Sequence, residues 1–293
     1  MGWSSLVLAV ASAAVPSSAA PAMVAADAVA ARPAKPHHIM SLNMCSDLIL
    51  LMLVPRERIA SITYLAHDAV DALMPGADKG VRTNHGTAEE VLLQRPDLIL
   101  ASPWTTPVAR RLSKQVAASV IEVEDATDFA SIRHIVRQIG AAVGEGARAE
   151  ALIRQMDADL AALAAERPKP PLRVVAWSGD GSVPGRGTLT DAIITAAGGI
   201  NIGAKRPDGR FSSFGVEELL AARPDAIMQG AGNYRAPSLR SARARNPLID
   251  KLFAHRQIDY PDAAYACGLP QSAKVARDLA KAFAAIPRGG PRW

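Results

Sequence analysis

The chain has 293 residues, 49% apolar and 21% charged, and carries a net charge of +5 from 33 basic and 28 acidic side chains. That length accommodates two domains with cores of their own, and the apolar content is too high for a disordered chain. The small basic excess is scattered, with no basic run or basic helix face, which argues against nucleic acid as a partner.

Residues 1–28 read as an export signal. The apolar run Leu6–Val15 is too short to anchor in a bilayer, and small-residue cleavage sites follow at Ser18-Ala-Ala20 and Ala26-Asp-Ala28. The pattern departs from the usual one in that Met1–Ser5 contains no Lys or Arg. Residues 29–37 form a flexible leader rich in Ala and Pro, with His37 and His38 at its exposed end.

From residue 38 the chain alternates strand and helix patterns. His38–Asn43 is a short apolar strand, Cys45–Leu53 a helix closed by Pro55, and Arg58–Thr63 a second strand. Ala88-Glu-Glu-Val-Leu-Leu-Gln-Arg-Pro-Asp-Leu-Ile-Leu-Ala-Ser102 predicts a helix ending before Pro96 and a strand over Leu98–Ala101. A helix over Val108–Ala118 and a strand over Ser119–Val123 complete the first lobe, residues 38–126. This alternation implies a mainly parallel sheet covered on both faces.

Residues 127–168 are different. Apolar positions recur at helical spacing (Ile132, Ile135, Val136, Ile139, then Leu152, Met156, Leu160), predicting one long helix, or two in line interrupted near Gly144-Glu-Gly146. Pro168-Lys-Pro-Pro171 ends it. The alternating pattern restarts in a second lobe, residues 169–293. Its elements are a strand over Leu172–Trp177, a glycine-rich loop, a helix over Leu189–Ala197 and a terminal helix from Gln271 to Ala285. Val216–Gly230 repeats the Ala88–Ser102 unit, identical at seven of fifteen positions and 128 residues later. A helix–turn–strand unit repeated at this distance implies two similar lobes.

The cap chemistry of the two copies is parallel. Thr87 and Glu90 have the spacing of a capping box, which occupies Glu90 and leaves Glu89 free. The same spacing from Gly215 occupies Glu218 and leaves Glu217 free. All four carboxylates also complement helix N-termini.

In open parallel sheets ligands bind at the carboxyl ends of strands. Aromatics are only 4% of the chain, yet Tyr64, Trp104, Trp177, Phe211, Tyr234 and Tyr265 all fall in such loops. Flat side chains there suit a bulky ligand with a planar apolar body, although Trp177, late in an apolar strand, equally fits a lobe core. His85 lies in the Arg82-Thr-Asn-His-Gly86 loop. Arg82, Arg186, Arg206, Arg210 and Arg235 lie in or beside the same loops and would match carboxylate or catecholate oxygens.

Cys45 belongs to the first lobe and Cys267 to the second. An exported chain with two cysteines admits a disulfide, which would cross-link the lobes; free thiols, one of them a soft ligand to a metal centre, are the alternative. No Gly-x-Ser-x-Gly, His-Glu-x-x-His, Cys-x-x-Cys or phosphate-loop motif occurs, so an enzyme reading has no support. The six histidines do not form a spaced set, and direct binding of a bare metal ion is not expected.

Strand-Ser-Leu-Asn-x-Cys, Glu-Glu-Val-Leu-x-x-x-Pro-Asp-Leu-Ile, a long Ala-rich helix, and a second Glu-Glu-Leu-Leu-x-x-x-Pro-Asp occur in that order. In this the chain, over residues 38 to about 286, resembles the periplasmic substrate-binding proteins of ABC importers, in the helix-linked class for vitamin B12, ferric siderophores or haem. The resemblance implies an α/β fold of two Rossmann-like lobes with mainly parallel sheets, joined by one long helix, the ligand held in the cleft between them. It implies a soluble periplasmic monomer without catalytic residues or an intrinsic cofactor, whose ligand is a cobalt- or iron-containing chelate: a corrinoid or ferric siderophore, with haem as the alternative. Its partners would be a transmembrane permease dimer and a cytoplasmic ATPase. The family's docking glutamate, seven residues before the proline, falls on Glu89 and Glu217. Relatives that bind vitamin B12 place aromatics near Tyr64, Trp104, Trp177 and Phe211. The full candidate ligand set adds Arg82, His85, Arg186, Tyr234, Tyr265, Cys45 and Cys267. A hydrolase or transferase using the same cleft, and a two-lobed adaptor binding no small molecule, are the readings from other classes.

Overall fold

The structure, a computed structural model, describes residues 35–107, 111, 116, 118–166, 170–177, 182–205, 209–230, 246–287 and 289. The export-signal segment, residues 29–34 of the leader and most of the helix expected over Val108–Ala118 lie outside the described residues.

In the first lobe, Ile39–Ser41 (β1), Ile59–Thr63 (β2), Thr83–Asn84 (β3), Leu98–Ala101 (β4) and Ser119–Glu122 (β5) form a sheet in the order β3-β2-β1-β4-β5. Every pairing is parallel. Strands buried on both faces read as continuous apolar runs, and Leu98-Ile-Leu-Ala101 is buried at all four positions. The crossovers carry helices Met44–Leu53 (α1), Ala66–Leu73 (α2) and Ala88–Gln94 (α3). Asn43 starts α1 by accepting from the Cys45 and Ser46 N–H groups, and Pro55 follows its end.

The connecting segment differs from the single or collinear helix expected over residues 127–168. It is two helices, Phe129–Ala142 (α4) and Gly146–Ala165 (α5), folded back on each other. Arg133 pairs with Asp157 and Arg137 with Glu150, so rising numbers on one helix meet falling numbers on the other, as in an antiparallel hairpin. The reversal occurs at Gly144, whose φ of 72° is costly for a side chain-bearing residue. At Gly140 an added Cβ would run into Ala149, so small residues permit the close packing. α4 packs on α1 of the first lobe, and α5 then carries the chain to the second. Twenty residues of helix span about 30 Å.

The second lobe contains, in order, Leu172–Ala176 (β6), Ser182–Pro184 (β7), Leu189–Ala196 (α6), Gly199–Asn201 (β8), Phe211–Ser213 (β9), Val216–Ala222 (α7), Ala226–Gly230 (β10), Pro247–Leu252 (α8), Gln257–Tyr260 (β11), Asp262–Ala266 (α9) and Ser272–Ala285 (α10). Its main sheet has the order β11-β10-β6-β8, again all parallel. Reversed, β8-β6-β10-β11 corresponds to β2-β1-β4-β5, so the lobes share a topology as well as a repeated sequence. β7 and β9 form a separate antiparallel ribbon in which Pro184 faces Phe211.

The repeated units are built alike. α3 and α7 both end on an arginine in the left-handed region, Arg95 and Arg223, each with φ 46°. In each unit the aspartate after the proline ties down the first strand of its lobe. Asp97 accepts from the His37 and His38 N–H groups at 2.6 and 3.0 Å, and Asp225 accepts from the Arg173 N–H at 2.8 Å. His37 and His38 are therefore exposed but anchored, not part of a free leader.

One apolar core runs through both lobes, from Leu48 and Ile132 through Ile153 and Met156 of α5 to Ile193 and Phe283. Gly268 lies against Ala126 and Ile132 so closely that a methyl group there would overlap them. Beside it, Cys45 at the start of α1 is bonded to Cys267 at the end of α9. That settles the open alternative in favour of the disulfide and removes both sulfurs as soft metal ligands.

Candidate functional site

In each sheet the strand order reverses once, between β1 and β4 in the first lobe and between β6 and β10 in the second. Loops leaving the sheet at such a point diverge and open a crevice at the carboxyl ends of the strands. In the first lobe the divergence is laced together by polar groups. The Asn43 amide donates to Ser102 Oγ at 3.0 Å, and Thr105 Oγ1 accepts from the Ser102 N–H at 3.0 Å while donating to Leu42 O at 3.3 Å.

Trp104 adjoins this lacing in the same loop and is 76% exposed. Its backbone N–H donates to Ser102 Oγ, and its indole Nε1 donates to Asp125 Oδ2 at 2.6 Å. Tyr64, at the end of β2, is 52% exposed and stacks on the His85 ring, centroids 5.0 Å apart and planes 24° apart. His85 is in turn held by Glu90, whose two oxygens accept from its N–H at 3.1 and 2.9 Å and whose Oε1 lies 3.4 Å from Nδ1. Arg82 is exposed on the same loop.

Beneath these loops is a buried polar floor. Asn84 donates to Ser41 O and Ser61 Oγ, and the Thr63 N–H and hydroxyl both donate to Asp47 Oδ2, at 3.0 and 2.6 Å. Asp47 is fully buried, and its Oδ1 takes no hydrogen bond among the described residues. Burial pushes its carboxyl up to about 7, against the opposing pull of the nearby Ser41 hydroxyl and of the Thr63 hydrogen bonds.

In the second lobe Phe211 is 61% exposed on the β7–β9 ribbon, with Arg186 and Arg210 exposed beside it. Trp177 is not on the surface. It is 2% exposed, packs with Val183, Phe214 and Leu219, and satisfies its indole N–H on Phe214 O at 3.0 Å. Tyr265 is likewise a core residue, tilted against Tyr260 with centroids 4.3 Å apart, and burial pushes its phenol up. Neither ring is available to a ligand in this conformation. Tyr234, Arg206 and Arg235 lie outside the described residues.

The carboxylates of the repeat divide as the cap spacing predicts. Glu90 accepts from the Thr87 N–H while Thr87 Oγ1 accepts from the Glu90 N–H. Desolvation alone would raise its pKa, but hydrogen bonds from Thr87 and His85 hold it below the usual value. Glu218 accepts from the Gly215 N–H, forming half of a box, since glycine has no side chain to complete it. Glu89 and Glu217 are exposed and make no hydrogen bond or ion pair among the described residues.

Of the large apolar side chains exposed among the described residues, Tyr64, Leu65 and Trp104 lie on the strand-end loops of the first lobe, Phe211 on the β7–β9 ribbon rather than in a loop, Leu92 and Leu93 on α3, and Leu248 on α8. Leu65 belongs to no motif, and Leu92 and Leu93 enter the repeated unit only as apolar positions. The adjacent leucines of a two-turn helix, which can bury only one face, were the available signal. Among the described residues no group of three His, Cys, Asp or Glu side chains is placed to hold a metal ion, and no helix is long and apolar enough to cross a membrane.

A cobalamin-binding protein of Halobacterium salinarum strain R1 is 24% identical over 214 residues, covering 71% of this chain and 58% of that protein. The chain thus spans less than two thirds of that relative's length. Among solved structures, the periplasmic heme-binding protein RhuT of Roseiflexus sp. RS-1 superposes with a TM-score of 0.70 at 24% identity, covering 86% of this chain and 99% of that one. The periplasmic vitamin B12 binding protein BtuF of Vibrio cholerae gives 0.63 at 18% identity, covering 87% and 99%. The heme binding protein HutB of the same organism gives 0.69 at 17%, covering 84% and 98%. These likenesses show the two-lobed fold. The family described as periplasmic binding protein matches residues 39–247, the greater part of the sequence, and the chain belongs to it.

Proposed function

We propose that this chain is the exported solute-binding component of an ABC importer, soluble and monomeric, that captures a metal chelate between its lobes and delivers it to a permease dimer driven by a cytoplasmic ATPase. The observation that carries the reading is that three aromatic rings are exposed, Tyr64 and Trp104 on the strand-end loops of the first lobe and Phe211 on the β7–β9 ribbon of the second. Flat apolar surface held in water has no role in a lobe's own core and suits a planar macrocycle or an aromatic chelator. The exposed guanidinium groups of Arg82, Arg186 and Arg210 suit peripheral carboxylates or catecholate oxygens. The metal, cobalt or iron, travels inside the ligand, so the protein needs no resident cofactor and makes or breaks no bond. A corrinoid and a ferric siderophore fit this surface, with haem as the third candidate; the cobalamin-binding relative favours the first.

Glu89 and Glu217 are the docking residues of this reading, one exposed and unpaired carboxylate on the repeated helix of each lobe. Arginines on a permease would pair with them at an interface from which water is displaced, where a lost charge pair costs more than at a free surface. Glu89→Ala combined with Glu217→Ala is expected to cut cellular uptake of the labelled ligand about tenfold or more, while the purified variant binds that ligand as tightly as the parent. Unchanged uptake would remove the docking role. Lost affinity would instead make the two glutamates part of the ligand cleft.

A further inference from the structure

The two exposed rings of the first lobe are each held by a partner from a neighbouring loop. Trp104 is 76% exposed, and apolar ring surface left in water is unfavourable, so an unheld ring would tend to fold against the protein. What holds it out is its one polar atom: Nε1 donates at 2.6 Å to Oδ2 of the exposed Asp125, a hydrogen bond to a carboxylate. Asp125 is itself on the loop after β5, the strand beside β4, so two adjacent strand ends fix the ring between them. Its backbone end is fixed too, by the bond from the Trp104 N–H to Ser102 Oγ. Tyr64 is held differently, by the His85 ring that Glu90 braces. Phe211, the exposed ring of the second lobe, has no polar atom through which it could be held this way.

We propose that Asp125 is a positioning residue of the ligand site, bracing Trp104 in a binding-ready orientation so that the first lobe presents a preset aromatic wall. The proposal rests on the binding-protein reading above and adds to it a residue that need not touch the ligand. Its consequence is energetic. A ring already held in its bound orientation loses little freedom on association, whereas an unbraced one must be ordered at the expense of affinity, an effect of about five- to tenfold.

The test uses the purified full chain and three probes, cyanocobalamin, haemin and a ferric tris-catecholate complex, with affinity read by equilibrium dialysis. Ring mobility is read independently as the fast component of fluorescence anisotropy decay, with the Trp104→Phe protein subtracted to isolate Trp104. Asp125→Ala should enlarge that fast component, leave the melting temperature unchanged and weaken the probe that the parent binds about five- to tenfold. Asp125→Asn, whose amide oxygen still accepts from the indole, should bind within about twofold of the parent. Added to Trp104→Ala, Asp125→Ala should cost nothing further, because the two act as one unit. The proposal is overturned if Asp125→Ala leaves ring mobility or affinity unchanged, or if its effect persists when Trp104 is absent. A parent that binds none of the three probes defeats the binding-protein reading itself, an outcome distinct from a parent that binds and an Asp125 variant that binds equally well.

Discussion

Replacing Cys45 and Cys267 together with alanine is expected to lower the melting temperature by about 10 °C. The bond closes a loop across 222 residues of sequence, and removing a cross-link of that span restores about 5 kcal/mol of chain entropy to the unfolded state in the loop-closure model, near the top of the usual range. The folded state should change little. The apolar core is continuous from the first lobe through α5 into the second, and Gly268 keeps its packing on Ala126 and Ile132 whether or not the sulfurs are joined. Thermal denaturation of the double variant and of the parent treated with reductant should therefore give the same lowered midpoint, with the far-ultraviolet circular dichroism of the folded state preserved. An unchanged midpoint would mean that the bond adds nothing to what the interlobe core already supplies. Loss of folded structure at room temperature would mean that the core cannot hold the lobes without it.

Asp47 gives the second large effect, and its sign is opposite to that of an ordinary salt-bridged carboxylate. Its folded pKa is raised to about 7 by burial, from an unfolded value of 3.8. Below the unfolded value both states hold the proton and the group contributes nothing to pH dependence. Between pH 4 and 7 only the folded state holds it, so stability falls as the pH rises, by about 1.4 kcal/mol per unit and about 4 kcal/mol in all. Asp47→Asn keeps a carbonyl oxygen for the Thr63 donors and cannot ionise. The difference in unfolding free energy, parent minus variant, should decline steadily across that window in urea denaturation, leaving the variant the more stable protein at pH 8. A difference that stays constant from pH 4 to 8 would show that Asp47 is ionised in the fold throughout.

Much of the architecture was legible because its signals are local. The repeated unit specifies its own helix start through Thr87 and Glu90, its stop through Pro96, and its buried strand through an unbroken apolar run. What the sequence did not disclose depends on partners far along the chain. Helical spacing over residues 127–168 says which face is apolar but not that the chain reverses, and only Gly144 hinted at the turn. Trp177 and Phe211 both lie at the edge of apolar segments. The first is drawn inward because Phe214, 37 residues away, offers its carbonyl to the indole, while the second is left outside on a ribbon too narrow to cover it. Tyr265 goes inward with Tyr260, and the joining of Cys45 to Cys267 depends on how the lobes meet. The strands β3, β8 and β9 are two or three residues long, below the length at which alternation can be read.

The lobes emerge as one design used twice and then differentiated. Each has a parallel sheet of matching order, a capped helix with one carboxylate spent on the cap and one left projecting, and an exposed aromatic ring, on strand-end loops in the first lobe and on the β7–β9 ribbon in the second. The first lobe's rings are braced by Asp125, His85 and Glu90, whereas Phe211 of the second has no polar atom for such a brace. Glu90 serves both surfaces, closing the cap of the helix that carries Glu89 and holding the His85 ring against Tyr64.

The central claim, capture of a metal chelate against these rings, is met most directly by titrating the purified chain with cyanocobalamin, a ferric tris-catecholate complex and haemin while following tryptophan fluorescence. Quenching that saturates at one equivalent of one of the three, with affinity lowered about tenfold or more in Trp104→Ala, is the predicted result. No response to any of them, or binding that is indifferent to Trp104→Ala, would contradict it.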